Sequence, residues 1–257
     1  MLSLPRRHAA PPASNFQELQ NQLKVRRGLE LRIDSSKALA DSLDLCVDPK
    51  EPFFNTLVRV MATRCMMSAE YFCSGTQAYS EYRHYGLASE IYTHFTSPIR
   101  RYADIVAHRQ LAAAINYEQL DATLHSKGKL EGVCKNINTR HRNAQMAGRA
   151  SIEYYVGQAL KGRIIEEEGY VMKVFSNGFV VFVPRFGIEG LVRLKDLAVP
   201  EPEATFDGEN YILTTTGSRA EMIVLFEKVV VKISDQKEES TGKRKIRLEL
   251  VKSGAKP

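Results

Sequence analysis

The hydrophobic period of this chain changes once, near Lys161, and that change limits what it can fold into. Upstream of it, apolar residues recur at three- and four-residue spacing, the mark of amphipathic helices. Residues 15–26 carry Phe16, Leu19 and Leu23 on one face, with Ser14 placed to cap them. Residues 35–46 repeat the pattern with Leu39, Ala40 and Leu43. Pro52 opens a longer helix whose stripe includes Leu57, Met61, Cys65 and Phe72. Met61, Met66 and Met67 read as core filling, not as a binding groove, because they lie in a generally apolar stretch. Residues 75–89 are tyrosine-rich and aperiodic, and read as a loop or short strand. Helices are predicted again over residues 98–116, with Ile105, Leu111 and Ala112 inward, and from about 130 to 160.

Downstream of Lys161 the alternation is that of strands. Residues 162–165, 170–175, 179–183 and 190–194 read as short strands, with two more in 220–234 and 244–250. Asn177-Gly178 predicts a hairpin turn. Residues 200–207 and 235–243 are polar enough to be exposed loops. The expected class is α+β: a mainly helical part, residues 1–159, followed by a small five-stranded β-barrel of the OB type, residues 160–252.

Charge and cysteine usage narrow the class. The net charge is +6, and residues 1–158 hold 20 basic against 15 acidic side chains, so the excess lies in the helical part. That balance is compatible with a polyanionic partner. Four cysteines without C-x-x-C spacing predict buried or free thiols and no zinc site. No apolar run approaches the ~18 residues that suggest a membrane span, and residues 1–12 lack the apolar region of a secretory signal.

The densest chemistry lies in residues 92–109, which gather His94, His108, Arg100, Arg101 and Arg109 with the hydroxyls of Thr96 and Ser97 around Pro98. Pro98 is suited to the first position of a helix and Ser97 to its N-cap. Arg100 and Arg101 would then fall in the first turn, where the helix dipole disfavours cations. A sequence that accepts this cost collects positive charge for an anion, and phosphate is the natural candidate. Asp104, four residues after Arg100, is expected to pair with it and orient it.

His94-Phe-Thr-Ser-Pro-Ile-Arg-Arg-Tyr-Ala-Asp104 resembles the signature of the RNase II-type (RNB) exoribonucleases in its eukaryotic form. Tyr85-Gly-Leu-Ala-Ser89 and Arg64-Cys-Met-Met67 resemble the exosome-associated branch, and the resemblance covers nearly the whole chain. It implies degradation of RNA from the 3′ end, one nucleotide at a time, to 5′-mononucleotides, with Mg2+ held by an aspartate cluster. In the family that cluster precedes the segment matched here by Pro5-Arg-Arg-His-Ala-Ala-Pro-Pro12, and this sequence has no match to it. The chain therefore reads as the C-terminal portion of such an enzyme, expected to be inactive alone. The implied partners are the 3′ end of single-stranded RNA, the upstream half of the RNB domain and the exosome core subunits. The implied location is the nucleus, with the cytoplasm also compatible. The alternative is a non-catalytic RNA-binding or scaffolding protein that kept the arginine motif and the OB fold without the metal site.

Within this frame Arg100 is the catalytic candidate, because a guanidinium grips two phosphate oxygens and stays charged. The resemblance places the first arginine of the motif near the scissile phosphate. Arg101 reads as a backbone contact or salt bridge. His94 is assigned RNA contact, Thr96 and Ser97 phosphate contact or capping, and Arg109 a continuation of the basic face. Arg142 and Arg149, two turns apart, read equally as a phosphate-facing stripe or a solvated face. No metal ligand is assigned; Asp104 with Glu70, Glu81 or Glu90 is the set to watch. Glu166-Glu-Glu168 reads as a solvated turn.

Residues 187–192 resemble the ribosomal S-one type of OB fold. By the resemblance, Asn177, Val180 and Arg193 stand where such domains carry their base-stacking aromatics and a histidine, which implies weaker and more electrostatic RNA binding, with Phe175 among the aromatics that compensate.

Overall fold

The computed structural model describes residues 2–194, 204–215, 221–237 and 244–254. It divides into two compact units, Met1–Cys46 with Ala62–Met146, and Val47–Met61 with Ala147–Pro257.

In the first unit, α1 (Ala13–Arg27) buries Phe16, Leu19 and Leu23. It starts after Pro12 without a side-chain cap, so Ser14 lies inside the helix and not at its cap. Gly28 closes it at φ 64, a left-handed conformation that costs glycine little. In α2 (Ser36–Asp44) the N-cap is Ser35, whose hydroxyl accepts from Ala38 N at 3.0 Å. The proline-rich, basic residues 5–12, whose composition reads as an extended lead-in, supply a short strand: β1 (Arg6–Arg7) pairs antiparallel with β2 (Glu70–Tyr71). Residues 75–89 hold two short 3₁₀ turns, Tyr79–Tyr82 and Tyr85–Leu87. Next come α4 (Tyr102–Ala114) and α5 (Lys127–Ala159). Leu4, Tyr71, Cys73, Ala103, Val106, Leu124, Leu130 and Cys134 form one buried cluster, which ties the residues before β1 to β2, α4 and the start of α5. All four cysteines are free thiols.

The second unit centres on β3 (Ile164–Phe175), a long strand that changes partner midway. Its first half pairs with β9 (Lys228–Lys237) and its second with β4 (Gly178–Val183). β5 (Ile188–Arg193) and β10 (Arg244–Ser253) extend the sheet to the order β10-β9-β3-β4-β5, all antiparallel. The sheet curls until its two ends meet: a Cβ added at Gly190 of β5 would lie 2.8 Å from Leu248 Cδ1 of β10. This is the five-stranded curled sheet of an OB-type fold, as expected. A second sheet, β6 (Ala204–Asp207), β7 (Ile212–Thr215) and β8 (Glu221–Ile223), was not expected. It includes the end of the 200–207 stretch read as loop; residues 200–203 and 238–243 lie outside the described residues. Glu166-Glu-Glu168 is not a turn but part of β3. Alternation sends Glu167 to Arg185 while Glu168 meets Lys228 at 3.2 Å.

The helix α3 (Phe54–Cys65) and the residues before it contribute to this unit. Phe72 lies beyond α3, after β2, and so does not belong to its stripe. Phe54 packs edge-on to Phe226, Leu57 and Val58 are fully buried, and Phe53 stacks on Tyr170 with centroids 4.9 Å apart. Tyr170 donates its hydroxyl to Glu51 Oε1 at 2.8 Å, and Lys228 Nζ reaches Glu51 Oε2 at 3.3 Å. Burial, with the Glu51 carboxylate, pushes the Tyr170 hydroxyl up to about 12.

Candidate nucleic-acid interface

The arginine motif forms an irregular turn and then a helix. Residues 98–100 make the turn, and α4 starts at Tyr102 with Arg101 in the N-cap position. Pro98 and Ser97 are therefore not the first helical residue and the cap, as the sequence predicts. The Ser97 carbonyl accepts from the Arg100 and Arg101 amides at 3.2 and 3.1 Å. The Ser97 N–H donates to Asp104 Oδ2 at 2.6 Å, so the aspartate in the first turn holds the motif's own backbone.

Asp104 is fully buried, and the same Oδ2 accepts from Arg101 Nη2 at 2.9 Å. The expected partner was Arg100; the structure corrects this to Arg101, three residues away. With α4 beginning only at Tyr102, Arg100 precedes the helix, and the i,i+4 geometry that pairing requires does not exist there. Burial works to raise the Asp104 pKa, but the Ser97 amide and the Arg101 guanidinium outweigh it and hold the carboxyl below its ordinary value. Thr96 Oγ1 accepts a longer contact from Arg101 Nη2 at 3.4 Å. Arg101 Nε and Asp104 Oδ1 are buried without a hydrogen-bond partner. Arg100 is exposed, and its side chain makes no ion pair or hydrogen bond to another described residue.

His94 lies against a neighbour that sequence reasoning missed. Its Nδ1 shares a short contact with the Tyr71 hydroxyl, and the rings meet edge-on with centroids 5.5 Å apart. Tyr71 is fixed by Asn138 of α5, which accepts from its N–H and donates to its carbonyl, both at 2.8 Å. The Arg6 guanidinium lies over the Tyr71 ring, 5.0 Å from its centroid. Arg7, on the opposite side of the strand, is engaged by Glu70 at 2.7 Å and Glu81 at 3.4 Å. Burial, reinforced by the charges of Arg101 and Arg6, lowers His94 to about 4, so its ring is neutral at physiological pH. Burial raises the Tyr71 hydroxyl despite the nearby arginines, so it remains protonated. The sequence signal for Arg6 was the paired arginine in residues 5–12, a proline-rich, basic stretch that reads as an extended lead-in.

His94, Thr96, Ser97, Arg101 and Asp104 are thus brought together, with Arg100 beside them. His108 stacks on Phe95 at 4.1 Å, and its Nε2 meets the Phe95 carbonyl at 2.7 Å, so it braces the loop. Arg109 is exposed on α4; the Thr123 hydroxyl and amide hold the Asp121 carboxyl low, with a smaller contribution from the Arg109 charge. Arg142 and Arg149 are exposed on α5 and belong to different compact units.

On the curled sheet, Phe175, Gly178 and Arg193 form one cross-strand row. The neighbouring row, Val174, Phe179 and Val192, is buried, so alternation turns Phe175 and Arg193 to the other face. Lys173 Nζ lies 5.1 Å from the Phe175 centroid. The loop between β3 and β4 is Ser176-Asn177, and Gly178 opens β4 at φ 154, where an added Cβ would collide with the Val192 carbonyl.

Among the described residues, no three His, Cys, Asp or Glu side chains are grouped to hold a metal. The acids marked by sequence are each engaged by arginine: Glu70 and Glu81 by Arg7, Glu90 by Arg83, and Asp104 by Arg101. No helix of the described residues is long and apolar enough to cross a membrane.

Residues 1–117 match the RNB domain and residues 165–248 an S1 domain. The chain is 58% identical, over 96% of its length, to the exosome complex exonuclease dis3 of Schizosaccharomyces pombe, covering 26% of that protein. It is 45% identical, over 90% of its length, to the human exosome complex exonuclease RRP44, covering 24% of it. It therefore spans about a quarter of the length of these relatives. The same fold occurs in the pseudonuclease Ssd1 of yeast, with TM-score 0.76 and 18% identity over 96% of this chain and 41% of that one. Mycoplasma genitalium RNase R in complex with ribose-methylated single-stranded RNA gives TM-score 0.75 at 20% identity, over 96% of this chain and 37% of that one. The family matches, the curled five-stranded sheet and the identity to dis3 and RRP44 lead to one conclusion: the chain joins an RNB domain segment, residues 1–117, to an S1 domain, residues 165–248.

Proposed function

We propose that this chain is the RNA-gripping C-terminal portion of a 3′→5′ exoribonuclease that yields 5′-mononucleotides and works with the exosome core in the nucleus. The observation that carries this is the division of labour in the arginine pair, in a chain 58% identical to an exosome exonuclease. Arg101 is spent on Asp104, whereas Arg100 stands exposed beside it. Arg100 is the residue we assign to the scissile phosphate, where a guanidinium neutralises charge as it develops. We assign Tyr71 as the donor to Nδ1, which leaves neutral His94 its Nε2–H for a phosphate oxygen; Thr96, Ser97 and Arg109 extend the contact.

Arg142 and Arg149 on α5, with Phe175 and Arg193 on the sheet, are assigned to the RNA backbone and bases further from the 3′ end. Residues 1–159 and 160–252 are proposed as the two domains. The carboxylates described here do not fit a magnesium site, because each one near the motif is held by an arginine. The magnesium that the family uses is therefore assigned to an upstream segment, and the chain alone is proposed to be inactive. Incubating 3′-labelled RNA and magnesium with the chain, with and without the upstream RNB segment of dis3, tests this. Mononucleotide release is expected only when both parts are present.

A further inference from the structure

The second unit holds a groove of about 560 Å³ that none of the assignments above uses. One wall is a face of α5, with Ala150, Tyr154 and Gly157 at i, i+4 and i+7. The other wall is the end of the β9–β10 hairpin, where Asp235 and Ile246 are cross-strand partners and Arg244 shares the Ile246 face. Its volume lies within the range of small-ligand sites, about 300–1,000 Å³.

The walls have distinct chemistry. Tyr154 is 60% exposed, and Tyr155 meets its ring edge-on, with centroids 5.4 Å apart. A large aromatic left in water beside a floor of alanine and glycine is a stacking platform. On the far side, the Asp235 side chain is only 2% exposed and holds Arg244 Nε at 2.5 Å, while Arg244 itself remains 46% exposed. A guanidinium anchored on a buried carboxylate is pre-set for an anion. Glu153 is the one other acid among the described residues of the lining.

The geometry points to a nucleotide-binding groove: one base of single-stranded RNA lies between Tyr154 and Ile246, with its phosphate on Arg244. An apolar peptide side chain would use the tyrosine and isoleucine but not the anchored Arg244, so the charge favours RNA. This inference rests on the RNA-binding reading above and adds a subsite to it.

The test uses the full chain and a short fluorescent oligouridylate. Tyr154→Ala is expected to weaken binding about ten-fold, as the loss of one stacking platform does, and Tyr154→Phe to restore it to within about two-fold. Gly157→Leu provides a second variant. Only Asp235 Oδ1 lies near an added Cβ there, at 3.9 Å, so the helix accepts the side chain while the groove fills. It is expected to weaken binding about as much, with unfolding unchanged or improved. An oligonucleotide carrying 4-thiouridine is expected to cross-link to the Tyr154 or Ile246 peptide. Normal binding by both Tyr154→Ala and Gly157→Leu, with cross-links only elsewhere, would overturn the groove and leave it to a peptide, while RNA binding itself stood. Failure of the unaltered chain to bind RNA at any salt would overturn both.

Discussion

Asp104 and Arg101 are joined at 2.9 Å, and the same carboxylate oxygen holds the Ser97 amide at 2.6 Å. One buried aspartate thereby sets both a side chain and the backbone of the loop that presents Arg100. Asp104→Asn keeps the shape but removes the charge, and it is expected to destabilise the fold by about 1.5–3 kcal/mol, the range for a hydrogen bond to a charged group. Denaturant unfolding reads this directly. If Asp104→Asn and Arg101→Gln add independently in a double-mutant cycle, the pair is not coupled.

His94 gives the fold a defined acid sensitivity. Its folded pKa, about 4, lies below its ordinary value of 6.5, so unfolding takes up a proton between these two values. The stabilising contribution of the neutral ring is complete above pH 6.5 and is lost as pH falls towards 4. Asp104, also lowered, adds a further loss at lower pH. Unfolding free energy measured from pH 7 to pH 4 is expected to fall, and His94→Gln to flatten that slope. An unchanged slope in the variant would assign the sensitivity elsewhere.

The helical and strand segments were legible because their hydrophobic periods are strong. Phe16, Leu19 and Leu23 do form one buried face, and Phe179, Val181 and Val183 do point inward. The start of α4 was misread because Ser97-Pro98 has the chemistry of a helix start, yet Asp104 recruits the Ser97 amide and moves the first turn to Tyr102. Arg6 and Tyr71 were hidden for a different reason. Their pairing joins segments more than sixty residues apart, and two-residue strands leave no period to read. The contribution of Phe53 and Phe54 to the sheet unit was equally non-local.

That contribution has a measurable consequence. The fragment 161–252 lacks Phe54, Leu57 and Val58, which are buried in the same unit as Phe226 and the strands. Phe54→Ala in the whole chain is expected to cost about 3–5 kcal/mol. A peptide covering Val47–Met61, added to the fragment, is expected to raise its melting temperature. A fragment as stable alone as with the peptide would show that these contacts contribute little.

Arg100 is expected to act on turnover and Arg101 on folding. In the enzyme with its upstream half present, Arg100→Ala should slow single-turnover decay of 3′-labelled RNA by about 10²-fold, and Arg100→Lys should recover little, because a point charge cannot reproduce the two-pronged grip. A rate unchanged beside weakened binding would make Arg100 a clamp only.

The most direct measurement is a gel of 3′-end decay of single-stranded RNA, with magnesium, for three samples: this chain, the upstream RNB segment, and the two combined. The account predicts mononucleotides from the combination alone, abolished by chelation and slowed by Arg100→Ala. Magnesium-dependent degradation by residues 1–257 alone would contradict it, since it would require a metal site among carboxylates that the structure gives to arginines.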